Sequence, residues 1–413
     1  MVGGGFAGLN FAQRMFKDKN YQVTLVDKNN YNFFTPLLYQ VATSFLDPST
    51  ISYPFRKLLR NRRLHFRMGE LVKVDPAART IYLNDGVLSY DHLVFAAGAR
   101  TNFYGIGSIE KNALSLKGID DALHMRNALM RTLEQAAITT NPVERKKLLT
   151  IVVAGGGPTG VEVAGMLAEF KNYILEKDYP ELKGAEGGIY IVDGGPSLLA
   201  AMSDKTHKAA YDALVRLGVH VKLNIQVTDY SNDQVTFATG EIIEAKTLIW
   251  AAGITALTFE GIPATSLGPN RRMKTDAFNK VEGMDNIWAI GDISIQYTDP
   301  AYPNGHPQLA QPAMQQGKTL AKNFIALSKG RPLKAFKYFD KGDMAIVGRH
   351  NAQLDMFKHK LHIGGFIALF VWLFIHLVSL VNYNNKVRTF YTWAIAYLTR
   401  DQALRMIFRS GSV

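Results

Sequence analysis

Cysteine is absent from the 413-residue chain, which excludes disulfides, thiolate metal sites and any mechanism that passes through a thiol or persulfide. No metal site is expected from the remaining residues. Proline is sparse, 15 residues against 35 glycines, and no repeat of 20 to 50 residues is visible. The apolar, basic-flanked start of a secretory signal is also missing, since a glycine loop begins at residue 3, and a cytosol-facing protein is expected. What remains is ordinary globular material, 47% apolar and 20% charged, too apolar for disorder and long enough for two or three domains.

Basic residues exceed acidic ones, 47 against 35, for a formal charge of +12, which favours an anionic partner surface. The distribution selects which kind. Residues 358–413 carry seven cations (Lys358, Lys360, Lys386, Arg388, Arg400, Arg405, Arg409) and one acid, Asp401, beside the most apolar stretch of the chain. That pairing points to anionic lipid and not to nucleic acid.

A strand, glycine loop and helix signature occurs twice. The first loop, Gly3-Gly4-Gly5-Phe6-Ala7-Gly8, satisfies Gly-x-Gly-x-x-Gly, whose glycines permit a tight turn, close approach of pyrophosphate and close helix packing. Asp27 follows Gly8 by nineteen residues, where a carboxylate accepts from ribose hydroxyls. The strand that should precede this loop is missing, so the natural chain is expected to start upstream of Met1. The second loop, Gly155-Gly156-Gly157-Pro158-Thr159-Gly160, has strand and helix on either side. Asp193 closes the next strand, and an acid there repels a 2′-phosphate and favours NADH over NADPH. Its interval of 33 residues from Gly160 is long because residues 173–188 are inserted. Further buried strands are expected at 22–26, 92–96, 188–192, 220–223, 247–251 and 286–290, with helices at 120–137 and 205–217. The fold class is α/β: two Rossmann-like dinucleotide-binding domains plus a C-terminal membrane-associating helical segment.

Two more segments, Val94-Phe-Ala-Ala-Gly98 and Asn286-Ile-Trp-Ala-Ile-Gly-Asp292, end in small residues or an acid at strand ends. With residues 247–253 they resemble the two-dinucleotide-binding-domain flavoproteins, in which one nucleotide fold holds FAD and the second NAD(P)H. Within that superfamily the chain is most similar to type II NADH dehydrogenases, single-chain NADH:quinone oxidoreductases that do not pump protons. Three features carry this: Ala310-Gln311-Pro312-Ala313-Met314-Gln315-Gln316-Gly317, like the quinone-site motif Ala-Gln-x-Ala-x-Gln; Phe34-Thr-Pro-Leu-Leu-Tyr-Gln-Val-Ala-Thr43, like the flavin-proximal segment; and the apolar, basic C-terminus.

The resemblance implies hydride transfer from NADH to tightly but non-covalently bound FAD and then delivery of two electrons to a membrane quinone. Gln311 and Gln315, at i and i+4 on one helix face, can hydrogen-bond a quinone carbonyl without charging an apolar pocket. With Glu162, placed by resemblance near nicotinamide and flavin, they form the expected catalytic set. The expected cofactor-binding set is Gly3, Gly5, Phe6, Ala7, Gly8, Asp27, Lys28, Gln40, Ala97, Gly98, Gly155, Gly157, Thr159, Gly160, Asp193, Ala252, Gly253, Gly291, Asp292 and Ala310. The implied division is 1–112 and 256–330 for FAD, the latter with the quinone motif, 113–255 for NADH, and 331–413 for membrane attachment.

The uncharged run 363–381, about 28 Å as helix, approaches spanning length. Gly364-Gly365, His376, Ser379 and a second basic segment at 386–409, with Trp393, Tyr397 and Phe408 as interfacial residues, favour a helix lying on the bilayer. The expected place is the cytoplasmic face of the cell membrane, with a homodimer as a compatible assembly. Two alternatives stand beside the enzyme: a ferredoxin-reductase-like flavoprotein, and an NADH-binding redox sensor or tether without turnover. Disulfide reductases, NADH peroxidases and sulfide:quinone oxidoreductases need catalytic cysteine, and so are excluded.

Overall fold

The computed structural model describes residues 1–16, 18–60, 64–357, 359–399 and 404–407. Lys358, Arg400, Asp401, Phe408 and Arg409 of the expected basic tail lie outside them. In chain order the elements that position the site begin with α1 (Phe6–Met15), β1 (Val23–Asp27), α2 (Leu38–Ala42), α3 (Pro48–Ile51), β2 (Leu64–Met68) and β3 (Leu93–Phe95). There follow α4 (Ile119–Ile138), β4 (Ile151–Ala154), α5 (Pro158–Phe170), β5 (Ile189–Val192), α6 (Asp204–Arg216), β6 (Val219–Lys222), β7 (Thr247–Trp250) and β8 (Ile287–Ala289). The last are α7 (Ala310–Leu327), β9 (Asp343–Val347), β10 (Asn351–Met356), β11 (Leu361–Gly364), α8 (Gly365–Ser379) and α9 (Tyr383–Thr399). The strands and helices expected from periodicity are present, with ends moved by a residue or two.

Contacts divide the chain into two compact units. The first comprises Met1–Phe33, Tyr53–Arg100 and Ile254–Asp340. In it β2 pairs with β1, and β3 with β8, all parallel. Between the two pairs lie residues 1–3, where the central strand belongs. Val2 bridges both Val26 and Phe95, donating to Val94 O at 2.9 Å and accepting from Ala96 N at 2.7 Å. The result is a parallel sheet whose middle member is three residues long. Leu25, Phe95, Ile287 and Ala289 are buried in it, at roughly 1.5–3 kcal/mol for each large apolar side chain removed from water. Helix α7 packs against α1 so tightly that a Cβ at Gly317 would lie 2.2 Å from Ala7 O.

The second unit comprises Phe34–Ser52, Thr101–Gly253 and Lys341–Val413. Its sheet, β6-β5-β4-β7, is parallel throughout, and the strands read as apolar runs because both faces are covered. Helix α5 starts at Gly157 with Pro158 in its first turn, a position where a missing N–H costs nothing. Helix α4 starts with Asp120 and Asp121, and the latter accepts from Gly118 N at 3.0 Å.

The C-terminal part belongs to this unit and corrects the reading of the run 363–381. Its first residues lie in β11, paired antiparallel with β10, and only fifteen residues, Gly365–Ser379, form helix. At 1.5 Å per residue that is about 22 Å, short of a hydrocarbon core of about 30 Å. Among the described residues, no helix is long and apolar enough to cross a membrane. A second correction concerns Trp393 and Tyr397, which are not interfacial. Trp393 is buried and donates to Gln40 Oε1 at 2.8 Å, and Tyr397 donates to Arg349 O at 2.8 Å. Each ring carries a donor that needs a partner, and the protein supplies it.

Candidate functional site

In the first unit, the glycine loop is shaped by contacts that only hydrogen side chains tolerate. Gly3 has φ +100°, and a Cβ there would lie 2.3 Å from Ala96 O; one at Gly8 would lie 2.0 Å from Gly3 O. Gly5, by contrast, caps α1 with no side-chain cap, and a Cβ there would meet nothing within 4 Å. The closed positions shape a turn and the open one faces space at a helix N-terminus, where the dipole favours phosphate. Gly98, at φ +72° after β3, is likewise open. Ala7 and Gly8 are buried, Phe6 is half-buried and Lys28 is exposed.

Asp27 ties this cradle together. Its Oδ2 accepts from Gly4 N at 2.7 Å and its Oδ1 from Asn29 N at 2.8 Å, while burial pushes its carboxyl above the usual range. Each oxygen keeps capacity for a further donor such as a ribose hydroxyl. The cradle fits a dinucleotide of the FAD type.

Across the same unit, Gly291 has φ +77° and its N–H donates to Gln316 Oε1 at 2.6 Å. Gln308 Nε2 donates to Asp292 O at 2.9 Å, so the turn bearing Asp292 is fastened from two sides of the α7 start. Ala310 and Gln311 lie half-buried in the first turn of α7. Gln315 has a more specific task. Its Nε2 donates to Phe339 O at 2.8 Å and its Oε1 accepts from Phe339 N at 3.0 Å, so its amide clasps one backbone residue at both ends. Gln316 escaped sequence reasoning; the signal was its place next to Gln315, about 100° further round α7 and on its buried side.

In the second unit the clasp recurs. Asp193 Oδ2 accepts from Gly156 N at 2.5 Å and Oδ1 from Gly195 N at 2.6 Å. Gly155 has φ +115°, a Cβ at Gly160 would lie 1.9 Å from Gly155 O, and Gly157 is open. Thr159 is exposed in the first turn of α5. Ala252 O accepts from Tyr104 OH at 3.0 Å and Gly253 O from Asn102 N at 3.0 Å. On the expectation that the Asp193 charge repels a 2′-phosphate, replacing it with Asn should narrow the preference for NADH over NADPH about tenfold, about 1.4 kcal/mol. The check is the ratio of the two kcat/KM values; an unchanged ratio removes Asp193 from selectivity.

Glu162 is buried in α5. Burial pushes its carboxyl well above the usual range, against a backbone hydrogen bond from Ile346 that favours the anion. Tyr39 is buried as well; burial and the neighbouring Glu162 charge raise its pKa well above the ordinary value. Gln40 is buried beside it, donating to Tyr39 OH at 3.0 Å and accepting from Trp393. The face of α9 that carries Trp393 is a polar seam at four-residue spacing, with Asn385 donating to Ser52 O at 2.9 Å and Thr389 to Thr50 O. Sequence reasoning missed this stripe, although Asn385, Thr389, Trp393 and Tyr397 repeat visibly every four residues. His376 stacks on Trp372 at 3.8 Å, and burial pulls its pKa down to about 4, which makes it a neutral packing residue.

The opposite faces of the last two helices are apolar and exposed. Phe366, Phe370 and Phe374 of α8 are 70%, 56% and 65% exposed, and Phe390 and Leu398 of α9 are 61% and 85% exposed. A patch of this kind marks a membrane or a partner surface.

A sequence profile for the family described as pyridine nucleotide-disulphide oxidoreductase matches residues 1–317. The type II NADH:quinone oxidoreductase NdhA of Mycobacterium tuberculosis (strain ATCC 25618 / H37Rv) is 33% identical over 418 residues, covering 97% of this chain and 87% of that protein. The type II NADH:quinone oxidoreductase Ndh of the same organism is 31% identical over 419 residues, covering 97% and 88%. Among solved structures, NDH2 from Plasmodium falciparum in complex with NADH superposes with a TM-score of 0.90 at 23% identity, covering 99% of each chain. The sulfide:quinone oxidoreductase of Aquifex aeolicus gives 0.73 at 18% identity, covering 97% and 95%. At these identities the structural likenesses speak to the fold.

Proposed function

The chain belongs to the pyridine nucleotide-disulphide oxidoreductase family, and within it to the type II NADH:quinone oxidoreductases; on that premise we propose that it is an FAD enzyme passing two electrons from NADH to a membrane quinone, without proton pumping, while attached to the cytoplasmic face of the cell membrane. The observation that carries the FAD reading is the repeated cradle. Two glycine loops, each closed by backbone contacts at its first and third glycines and open at its second, are each clasped by an acid at the end of the next strand. One loop suits NADH and the other a second, resident dinucleotide.

The loop from Gly3 to Gly8 and the first turn of α1 would hold the FAD pyrophosphate, with Asp27 on the ribose and the Asp292 turn toward the ribityl chain. FAD supplies a carrier that takes a hydride's two electrons and gives them up to a quinone. The chain's own work is orientation. Asp193 and the Gly155 loop hold NADH, Gln311 offers a neutral amide to the quinone, and Gln315 fixes the backbone at Phe339. Glu162, buried in α5 with its carboxyl pushed above the usual range by that burial, is kept as a site residue of the second unit. The exposed apolar faces of α8 and α9, with Lys386 and Arg388 nearby in sequence, support attachment to anionic lipid.

Purified full-length protein is expected to be yellow, to release one FAD per chain on denaturation, and to consume NADH steadily with a soluble quinone. Slow formation of a stable reduced complex without turnover would instead support the redox-sensor reading. On anionic vesicles, Phe374→Ser should weaken sedimentation about tenfold, since burying a phenyl ring contributes about 1.5–3 kcal/mol. Unchanged sedimentation would remove α8 from the membrane surface.

A further inference from the structure

On the reading that NADH lies on the second loop, two of its three parts have partners in the second unit: Asp193 for the ribose on the adenine side, and the Gly155 loop for the pyrophosphate. The sheet indicates where the third part goes. Its order is β6-β5-β4-β7, and a dinucleotide lies beyond the carboxyl ends of such strands, at the point where the order reverses. Here that point is between β4 and β7. Asp193 closes β5 and the glycine loop follows β4, so a molecule that runs from the first to the second continues over the end of β7.

The chain leaving β7 lies directly against the loop, since a Cβ at Gly155 would come within 2.5 Å of the Ala251 carbonyl. The next carbonyl, Ala252 O, accepts from Tyr104 OH at 3.0 Å, and a Cβ at Gly253 would lie 2.3 Å from the same hydroxyl. The tip of Tyr104 is thus fixed one residue away from the backbone that touches the pyrophosphate loop. Trp250, the last residue of β7, stands edge-on to the tyrosine, with centroids 6.5 Å apart at 69°, and its own N–H goes to Asn102 O at 2.8 Å.

The rest of the tyrosine is in the open. Its residue is 61% exposed, although it sits at φ +53°, a left-handed conformation that bulky residues rarely adopt and that clusters at ligand sites. Asn102 Oδ1 holds it there, accepting from Tyr104 N at 2.9 Å. Packing within the protein does not account for a large ring anchored at its backbone and at its hydroxyl and bare between them. We propose that Tyr104 is a binding residue for the donor, its exposed ring packing against the nicotinamide ring of NADH beyond the end of β7. Such a contact removes area from water and adds the attraction of paired rings. Once the hydride has left, the cationic nicotinamide of NAD+ is drawn to the negative face of the same ring.

The test uses ADP-ribose, which keeps what Asp193 and the glycine loop hold and lacks the nicotinamide, on the purified, flavin-loaded full chain. Flavin bleaching by NADH in rapid mixing gives the half-saturating NADH concentration, and ADP-ribose raises it by competition. Tyr104→Asn removes the ring and suits a positive φ. It should raise half-saturating NADH about tenfold and leave the ADP-ribose inhibition constant within about twofold. Tyr104→Phe keeps the ring and should stay within about threefold for both. The proposal is overturned if Tyr104→Asn saturates with NADH as before, or if it weakens NADH and ADP-ribose alike, which would make Tyr104 a support for the loop. It is equally overturned if Tyr104→Phe loses as much as Tyr104→Asn, which would place the effect in the hydroxyl and Ala252. ADP-ribose that fails to compete on the unsubstituted protein overturns the placement of NADH itself, a result distinct from the other three. Should Tyr104→Asn not fold, Tyr104→Gly, which tolerates the same φ, decides in its place.

Discussion

Gly8→Val is expected to give a folded but colourless protein, with flavin content reduced to a few per cent and NADH:quinone turnover lost with it. The reason is local and unforgiving. A Cβ at this position would lie 2.0 Å from Gly3 O and 3.2 Å from Ala96 Cβ. Neither neighbour is the free end of a flexible side chain, and both are held by hydrogen bonds of the central strand, Gly3 N to Val26 O at 2.8 Å and Ala96 N to Val2 O at 2.7 Å. The helix must therefore move away from the loop, and the cradle opens. Gly5→Ala is the control. Its Cβ would meet no protein atom within 4 Å, so thermal stability should stay within about 1 kcal/mol, while on the proposed reading flavin affinity falls because the methyl enters the space assigned to pyrophosphate. Visible absorbance and a melting curve on both variants decide the matter. Gly8→Val protein that stays fully yellow would remove this loop from FAD binding.

Those clashes explain why the nucleotide folds are legible in the order of amino acids. A glycine demanded by a backbone approach of about 2 Å leaves its mark on the sequence at fixed spacing, and an acid at the next strand end clasps the same loop in both copies. Strands buried on both faces announce themselves as short apolar runs. The tail is less legible, because hydropathy does not register pairing. Residues 361–364 are apolar enough to extend a helix, yet they pair with residues 353–356 in β10, and the helix begins only at Gly365, whose φ of +72° marks the turn out of the strand. Trp393 and Tyr397 mislead for a related reason. Aromatic rings near basic residues are typical of an interface, but here each carries a donor satisfied inside the protein, and the exposed rings are Phe390, Tyr383 and Tyr391. The quinone motif sits between these extremes: the spacing locates α7 and puts Gln311 and Gln315 on one face, while the partners of Gln315 and Gln316 depend on Phe339 and Gly291, 24 and 25 residues away.

The pair Gln311→Ala and Gln315→Ala then separates two half-reactions. In rapid mixing with NADH, flavin bleaching should proceed within about twofold of the unsubstituted rate, because both glutamines lie in the first unit on α7, and the Gly155 loop and Asp193 belong to the second. Recovery of the yellow colour on mixing with quinone should slow by about tenfold for each substitution and roughly a hundredfold for both. The expectation takes each lost hydrogen bond as about 1–1.5 kcal/mol. The two residues should not fail alike. On the proposed reading Gln311, in the first turn of α7, contacts the quinone, so its loss should raise the quinone KM. Gln315 acts through Phe339, held by 2.8 and 3.0 Å bonds, and its loss should release that backbone. Gln315→Glu keeps the acceptor for Phe339 N but loses the donor to Phe339 O and adds a charge, so it should recover only part of the rate. Equal loss of bleaching and recovery in the double variant would show that α7 supports the flavin as a whole. A slowing confined to recovery would place the quinone headgroup against its first turns, where a helix N-terminus favours the charge that develops on a reduced quinone oxygen.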